Sequence, residues 1–489
     1  MRSMHDNPPG HNRLRRGVVA MAMAAGLILF PGCTVGPNYH EPQERLPASW
    51  TGVITNTSHA TVSPSMPTPQ SVAMTNWWTA FRDPVLDSLV ARAVEGNLDL
   101  KQAESRIRQA RAQRGGVAAG FWPSADATGD YRRSRQSGAG MSDMNLVQAG
   151  LDAAWEVDVF GGTRRAVEAA DADIAASIED RRDVLVTLVA EVALNYIGLC
   201  GVKQEIEIAK ENLAAQKHSV DLTRQLFSGG FRSKLDVANA EAQVATTQSQ
   251  IPVLESEARQ TIYSLSVLLA REPSSLVDQF SKVAPIPLTP PEVPVGLPSE
   301  LLRRRPDIRR AEARLHGATA RIGVATADLF PKFSLTGSLG VSSATSSSLV
   351  SWDNRFYSFG PTVKWSVFQA GAIRAGIKVQ NELEEQALLN YQKTVLTALN
   401  DVESALVAYV KEQQHHQALV EAVSANHEAV SLATQLYTQG QTDFLSVLIA
   451  QRSLFASQDS LVQSERNVAT DLVAVYKALG GGWEFAGGK

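Results

Sequence analysis

Tyr357-Ser358-Phe359-Gly360-Pro361-Thr362-Val363-Lys364-Trp365-Ser366-Val367 sets large apolar residues against small or hydrophilic ones at nearly every second position. Successive side chains of a strand point to opposite faces, so this stretch predicts a strand with one greasy flank and one wet flank. Two other segments repeat the pattern. Phe333, Leu335, Leu339 and Val341 alternate with Ser334, Thr336 and Ser338; Val147, Leu151, Trp155, Val157 and Val159 alternate with Gln148, Asp152, Glu156 and Asp158. Residues 124–135 form a fourth, more polar candidate. A barrel with lipid outside and water inside has this period, and so does a soluble antiparallel sheet packed on a core. The connecting loops, residues 137–145 and 342–354, read as polar and helix-free, which favours the membrane. Four strands do not close a barrel, since the smallest have about eight, and open edges in lipid cost several kcal/mol per unpaired backbone group. Other copies must therefore supply the missing strands.

The strands are flanked by very long helical stretches. Residues 163–227 and 372–437 contain no proline, and roughly 65 residues at 1.5 Å each make a rod of about 100 Å. Leu185, Leu188, Val192, Leu199, Val202, Ile206, Ala209 and Leu213 recur at coiled-coil spacing, as do Leu388, Tyr391, Val395, Ala398, Val402, Ala405 and Tyr409. The rods reverse at Phe227-Ser228-Gly229-Gly230 and at Tyr437-Thr438-Gln439-Gly440, where glycine suits a left-handed helix cap. A plain structural coiled coil would explain the rods but not the strands.

The chain also reads as an internal duplication. Residues 97–107, with Asp99 and Glu104, answer to residues 305–315, with Asp307 and Glu312, at an offset of 208. Trp155 and Trp365, Gly230 and Gly440, and Leu235 and Leu445 differ by 210. Such a steady offset over distant markers marks a repeat. The expected organisation is a signal peptide at 1–32, an extended N-terminal segment at 33–76 and a helix-strand-strand-helix repeat at 77–284. A proline-rich linker at 285–298, a second repeat at 299–480 and a tail at 481–489 complete it.

Arg13, Arg15 and Arg16 precede an apolar run from Val18 to Phe30 and then Pro31-Gly32-Cys33. This is the build of a secretory signal, too short to span a bilayer comfortably. Gly32-Cys33 resembles a bacterial lipobox that would acylate Cys33, although Phe30-Pro31 departs from the usual residues before it; an ordinary signal with an incidental cysteine is the alternative. Thr34 in place of aspartate favours the outer membrane. Residues 1–32 carry +3 (four arginines against Asp6), so the precursor charge of −4 becomes −7 without them, which argues against a nucleic-acid partner. Cys200 reads as a buried apolar residue, no disulfide framework is possible, and no transmembrane helix is expected beyond the signal. A phosphate loop, a nucleophile elbow and an HExxH helix are missing, and His415-His416 are adjacent rather than one turn apart, so neither catalysis nor a metal is expected.

Gly296-Leu297-Pro298-Ser299-Glu300-Leu301-Leu302-Arg303-Arg304-Arg305-Pro306-Asp307-Ile308 resembles a signature of the TolC family, in its lipoprotein branch serving resistance-nodulation-division pumps. Cys33-Thr34-Val35-Gly36-Pro37-Asn38-Tyr39, Trp77-Trp78 with Phe81 and Asp83-Pro84, and Gln451-Arg452-Ser453-Leu454 fit the same branch. The resemblance implies a mixed α and β homotrimer. Four transmembrane strands per chain would build a twelve-stranded barrel continuous with a long antiparallel helical tunnel in the periplasm. It further implies a periplasmic adaptor (membrane fusion) protein at the helical tips Gly229, Gly230 and Gly440, and an inner-membrane resistance-nodulation-division transporter. The duct would be a passive exit for small toxic molecules, anchored in outer-membrane lipid by acyl chains on Cys33, with no other cofactor. Tyr437 matches the family's constriction, Leu445 matches an apolar sealing position, and Ile449 stands where related ducts carry an acidic ring residue. The expected seal is Leu445, with Asp443, Lys234 and Asp236 nearby. A similar duct for type I protein secretion and a non-transporting coiled-coil lipoprotein are the rival readings.

Overall fold

The computed structural model describes residues 34–44, 46–51, 66–68, 74–135, 143–282, 284–290 and 292–484. The expected signal peptide (residues 1–32), the lipidation candidate Cys33, most of the first loop and the end of the expected tail lie outside the described residues. In chain order the elements are β1 (Met66–Thr68), α1 (Pro84–Gly96), α2 (Leu98–Ala118), β2 (Ser124–Ser134), β3 (Met144–Val157), α3 (Gly162–Ser228) and α4 (Lys234–Leu268). They continue with β4 (Glu292–Pro294), α5 (Pro306–Ala327), β5 (Lys332–Ser343), β6 (Arg355–Lys364), α6 (Ala372–Thr438) and α7 (Phe444–Ala478). Helices α3 and α6 are both 67 residues long and α4 and α7 both 35. The backbone folds into two compact units, each assembled from both halves of the sequence rather than from one.

Among the described residues, one unit comprises 34–40, 110–135, 143–173 and 314–387. Its sheet runs in the order β2-β3-β5-β6, antiparallel throughout, so among the described residues β2 and β6 have no partner on their outer edges. The register sets Leu151 against Ala127 and Leu339, Leu339 against Tyr357, and Phe333 against Val363; on the other face Asp152 lies between Asp126 and Ser338, and Ser338 opposes Ser358. The two-residue period thus sorts apolar from hydrophilic side chains over the middle of the sheet, while towards the loops Arg133 and Asn145 fall on the apolar face and Leu146 and Phe356 on the other. Trp155 and Trp365 donate their indole N–H to the carbonyls of Phe121 and Leu329, 2.9 and 3.1 Å away. The last strand ends earlier than its alternation predicts: β6 stops at Lys364, opposite Lys332 where β5 begins after Pro331, which has no N–H to extend the ladder, and Trp365 to Val367 leave the sheet. The chain then turns through Ala370 and Gly371, at φ of 47° and 88°, into α6. The second loop is not helix-free either. Short 3₁₀ turns occupy Ser346–Ser348 and Trp352–Asn354 because Ser351 and Asn354 donate side-chain hydrogen bonds to the Ser348 carbonyl.

The same unit holds the N-terminal strap. The Arg165 side chain is 5% exposed, and it donates to the carbonyls of Val35 and Gly36 and to Asn38 Oδ1, the last at 2.7 Å. Gly36 has φ +89°, and a Cβ there would sit 2.4 Å from the Cα of Gly323, so only glycine fits. Tyr39 stacks on His316 at 4.5 Å, and His316 reaches Glu168 at 3.0 Å. Truncation of Arg165 to alanine removes charge-assisted bonds worth about 3 kcal/mol together. Arg165→Ala is expected to lower the melting temperature in detergent and to expose residues 34–40 to proteolysis; unchanged cleavage would show that Arg165 does not hold the strap.

The second unit comprises residues 41–109, 174–313 and 388–489. Asp83 caps α1 by accepting from the Val85 and Leu86 amides, and the Asn97 side chain caps α2 by accepting from those of Asp99 and Leu100. Asp99 and Asp307 both fall in first turns, where the helix dipole favours an acid. The proline-rich linker is not merely extended: β4 pairs in parallel with β1. Leu185, Leu188, Val192, Leu199, Val202 and Ile206 pack with Tyr391, Val395, Ala398, Val402 and Tyr409 in one core. Helix α3 contains a window apolar enough to cross a bilayer, but 67% of that window is buried inside the protein. Its apolar residues are used on other helices.

Candidate functional site

Two places in the fold carry the functional expectations. The first is the hydrophilic face of the sheet. Asp126, Asp130, Asp152 and Glu156 from β2 and β3 share this face with Ser334, Ser338, Ser358 and Thr362 from β5 and β6. Asp126 and Asp152 stand directly opposite each other, a like-charge pairing that is unfavourable unless water screens it. Thr128 donates to Asp152 Oδ2 at 3.0 Å. Across the sheet, Leu339, Tyr357, Phe359 and Val363 are 58%, 81%, 81% and 58% exposed, far more than an apolar sheet face packed on a soluble core would be.

The second place is the pair of helix reversals. After α3 the amides of Gly229, Gly230 and Phe231 donate to the carbonyls of Gln225, Phe227 and Leu226; after α6 those of Gln439, Gly440 and Gln441 donate to Gln435, Tyr437 and Leu436. Gly230 and Gly440 share a φ of +78°, the left-handed conformation that ends a helix and satisfies its last carbonyls. The returning helices are capped alike: Ser233 accepts from the Asp236 amide and Asp443 from the Ser446 amide. Asp443 is therefore engaged in a cap, and Lys234 and Asp236 form the first turn of α4.

Arg232 joins the two reversals. Its Nη2 donates to the Tyr437 carbonyl at 2.8 Å, and its guanidinium lies 4.5 Å from the centre of the Tyr437 ring. The ring meets Phe444 edge-on at 5.5 Å and is buried with Val220, Ala240, Val447 and Leu448. Burial pushes the Tyr437 hydroxyl up, with Asp236 adding to the rise and Arg232 opposing it, so the phenol stays neutral beneath the cation. Leu445 and Ile449, one turn apart on α7, are 53% and 56% exposed, and Leu235 and Phe231 are also exposed. Leu445 is thus only about half covered within its own chain. Arg232 was missed by sequence reasoning; an arginine next to the Ser233 cap was its only signal.

A cleft of about 540 Å³ is lined by Asp183, Arg305, Asp307, Asp401 and Asp471. Arg305 is saturated there by Asp307, Asp401 and the Ala478 carbonyl. Cys200 is buried, and its thiol is pushed up to about 12 by burial, which makes it inert. Among the described residues, no three His, Cys, Asp or Glu side chains converge as metal ligands.

Comparison with known proteins places these features. The model of the outer membrane efflux protein family matches residues 89–271 and 297–481. The pyoverdine export outer membrane protein OpmQ of Pseudomonas aeruginosa is 36% identical over 423 residues, covering 83% of this chain and 87% of the relative. Nodulation protein T of Rhizobium leguminosarum bv. trifolii is 32% identical over 460 residues, covering 93% and 96%. The solved outer-membrane channel OprN superposes with a TM-score of 0.83 at 36% identity, covering 92% of this chain and all of that one.

Proposed function

Because the chain belongs to the outer membrane efflux protein family, we propose that it is the passive exit duct of a tripartite efflux system, working as a homotrimer with a periplasmic adaptor and an inner-membrane resistance-nodulation-division transporter. The sheet carries this reading: four antiparallel strands, apolar on one face and hydrophilic on the other, with the outer edges of β2 and β6 unpaired among the described residues. Three such sheets would join edge to edge into twelve strands, satisfying the backbone groups that lipid leaves bare. The equal lengths of α3 and α6, and of α4 and α7, support an internal duplication that supplies matched helices to a periplasmic tunnel. Exposed apolar residues on α6, including Leu383, Leu389 and Leu396, offer contacts for a neighbouring copy. Cys33, one residue before the strap held by Arg165, would carry the acyl chains.

The cargo is a small molecule that the pump selects, in keeping with the pyoverdine export role of a relative. The test has two parts. The detergent-purified trimer should conduct in planar bilayers, and deletion of the gene should sensitise cells to drugs, dyes or metals, with restoration on complementation. A mature chain that stays a water-soluble monomer and gives no conductance would end this reading.

A further inference from the structure

Helix α7 is fastened to α3 by polar contacts at heptad steps. Gln451 donates to Ser219 at 2.9 Å, Asn212 donates to Gln458 at 2.9 Å, and Gln204 approaches Glu465 at 3.4 Å. Positions 451, 458 and 465 are seven apart, so one stripe of α7 faces α3 throughout. A buried polar contact in a helical seam fixes register at a cost in stability, because its groups are satisfied only in the right alignment.

Beside the last of these contacts is a group that is not satisfied. The Glu205 side chain is 6% exposed, and its Oε1 has no hydrogen-bond partner among the described residues. Arg466 reaches towards it from α7, its stem packed so closely over Gly201 that a Cβ there would meet Cδ at 2.9 Å. The guanidinium still stops 3.6 Å short, beyond hydrogen-bond range. The other charged groups facing Glu205 are acidic: Asp459 on α7 and Glu257 on α4. A carboxylate here is buried, under-bonded and opposed by two like charges against one cation.

We propose that the α3–α7 seam is a proton-controlled joint, in which protonated Glu205 keeps α7 fastened to α3 and ionised Glu205 lets the seam around Arg466 open to water. Burial, opposed by Arg466 and aided by Asp459 and Glu257, pushes the Glu205 carboxyl up to about 7. A carboxyl raised in the closed seam binds its proton more tightly there than when exposed. Closure is therefore firmest in acid and weakens as pH rises through about 7.

Hydrogen exchange on the full-length protein in detergent tests this, with peptides covering residues 199–210 and 459–470 corrected for intrinsic exchange. Protection is expected to fall on the order of tenfold between about pH 5.5 and pH 8. Glu205→Gln should hold the acid level of protection at both values. Arg466→Gln, which removes the one cation facing Glu205 among the described residues, should move the midpoint upward. A wild-type seam insensitive to pH, a Glu205→Gln protein with the wild-type step, or an unmoved midpoint in Arg466→Gln would each overturn the proposal.

Discussion

Leu339→Arg is expected to abolish assembly in the outer membrane, whereas Ser338→Arg, one residue away, should leave the trimer intact. Leu339 lies between Leu151 of β3 and Tyr357 of β6 on the apolar face. An arginine at mid-depth on the lipid side of a barrel costs roughly 2–4 kcal/mol, and a trimer would carry it three times, for about 6–12 kcal/mol in all. That equals or exceeds the whole stability of many folded proteins. Ser338 points the other way, between Asp152 and Ser358, where a guanidinium finds water and a carboxylate. Immunoblots of outer-membrane fractions, run native and denatured, would read both variants. Equal amounts of trimer from the two would mean that the greasy flank does not face lipid.

That contrast was legible in the sequence because side-chain direction in a strand depends only on residue parity. The long helices were legible for a similar reason: their seams repeat at a fixed spacing, and glycines stand at their ends. What escaped notice depends on contacts between distant segments. β6 ends at Lys364 because its partner β5 begins at Lys332, after Pro331; alternation alone carries the strand to Val367. The pairing of β1 with β4 joins two three-residue segments more than 200 positions apart, too short for any period. At the helix reversals the family resemblance pointed to Tyr437 and Leu445, yet the residue that grips Tyr437 is Arg232 from the other half. Asp443, expected near a seal, caps α7. The exposure of Leu445 and Ile449 in one chain is what a seal made between copies requires, and a single sequence does not reveal such a seal.

If Leu445 seals the tip, loosening it should give a leaking channel, and Arg232 provides an independent way to loosen it. Leu445→Ser removes an apolar side chain that is about half exposed in its own chain. It should raise single-channel conductance and sensitise cells to large antibiotics normally excluded by the outer membrane, without loss of trimer. Arg232→Ala acts one step away. It removes a bond from a charged donor to the Tyr437 carbonyl and a cation held over the ring, worth about 2–4 kcal/mol together. Even the lower figure shifts a closed-to-open equilibrium by roughly thirtyfold, so open probability should rise at least about tenfold if the two reversals must stay joined for closure. Arg232→Lys keeps the charge but not the flat stacking surface, and should recover only part of the closure. The double variant decides how the two effects relate. Leu445→Ser with Arg232→Ala should leak little more than the stronger single variant if both act on one closed state, and the effects should multiply if they act separately. Leu445→Ser with unchanged conductance and unchanged antibiotic entry would place the seal elsewhere on α7 or α4.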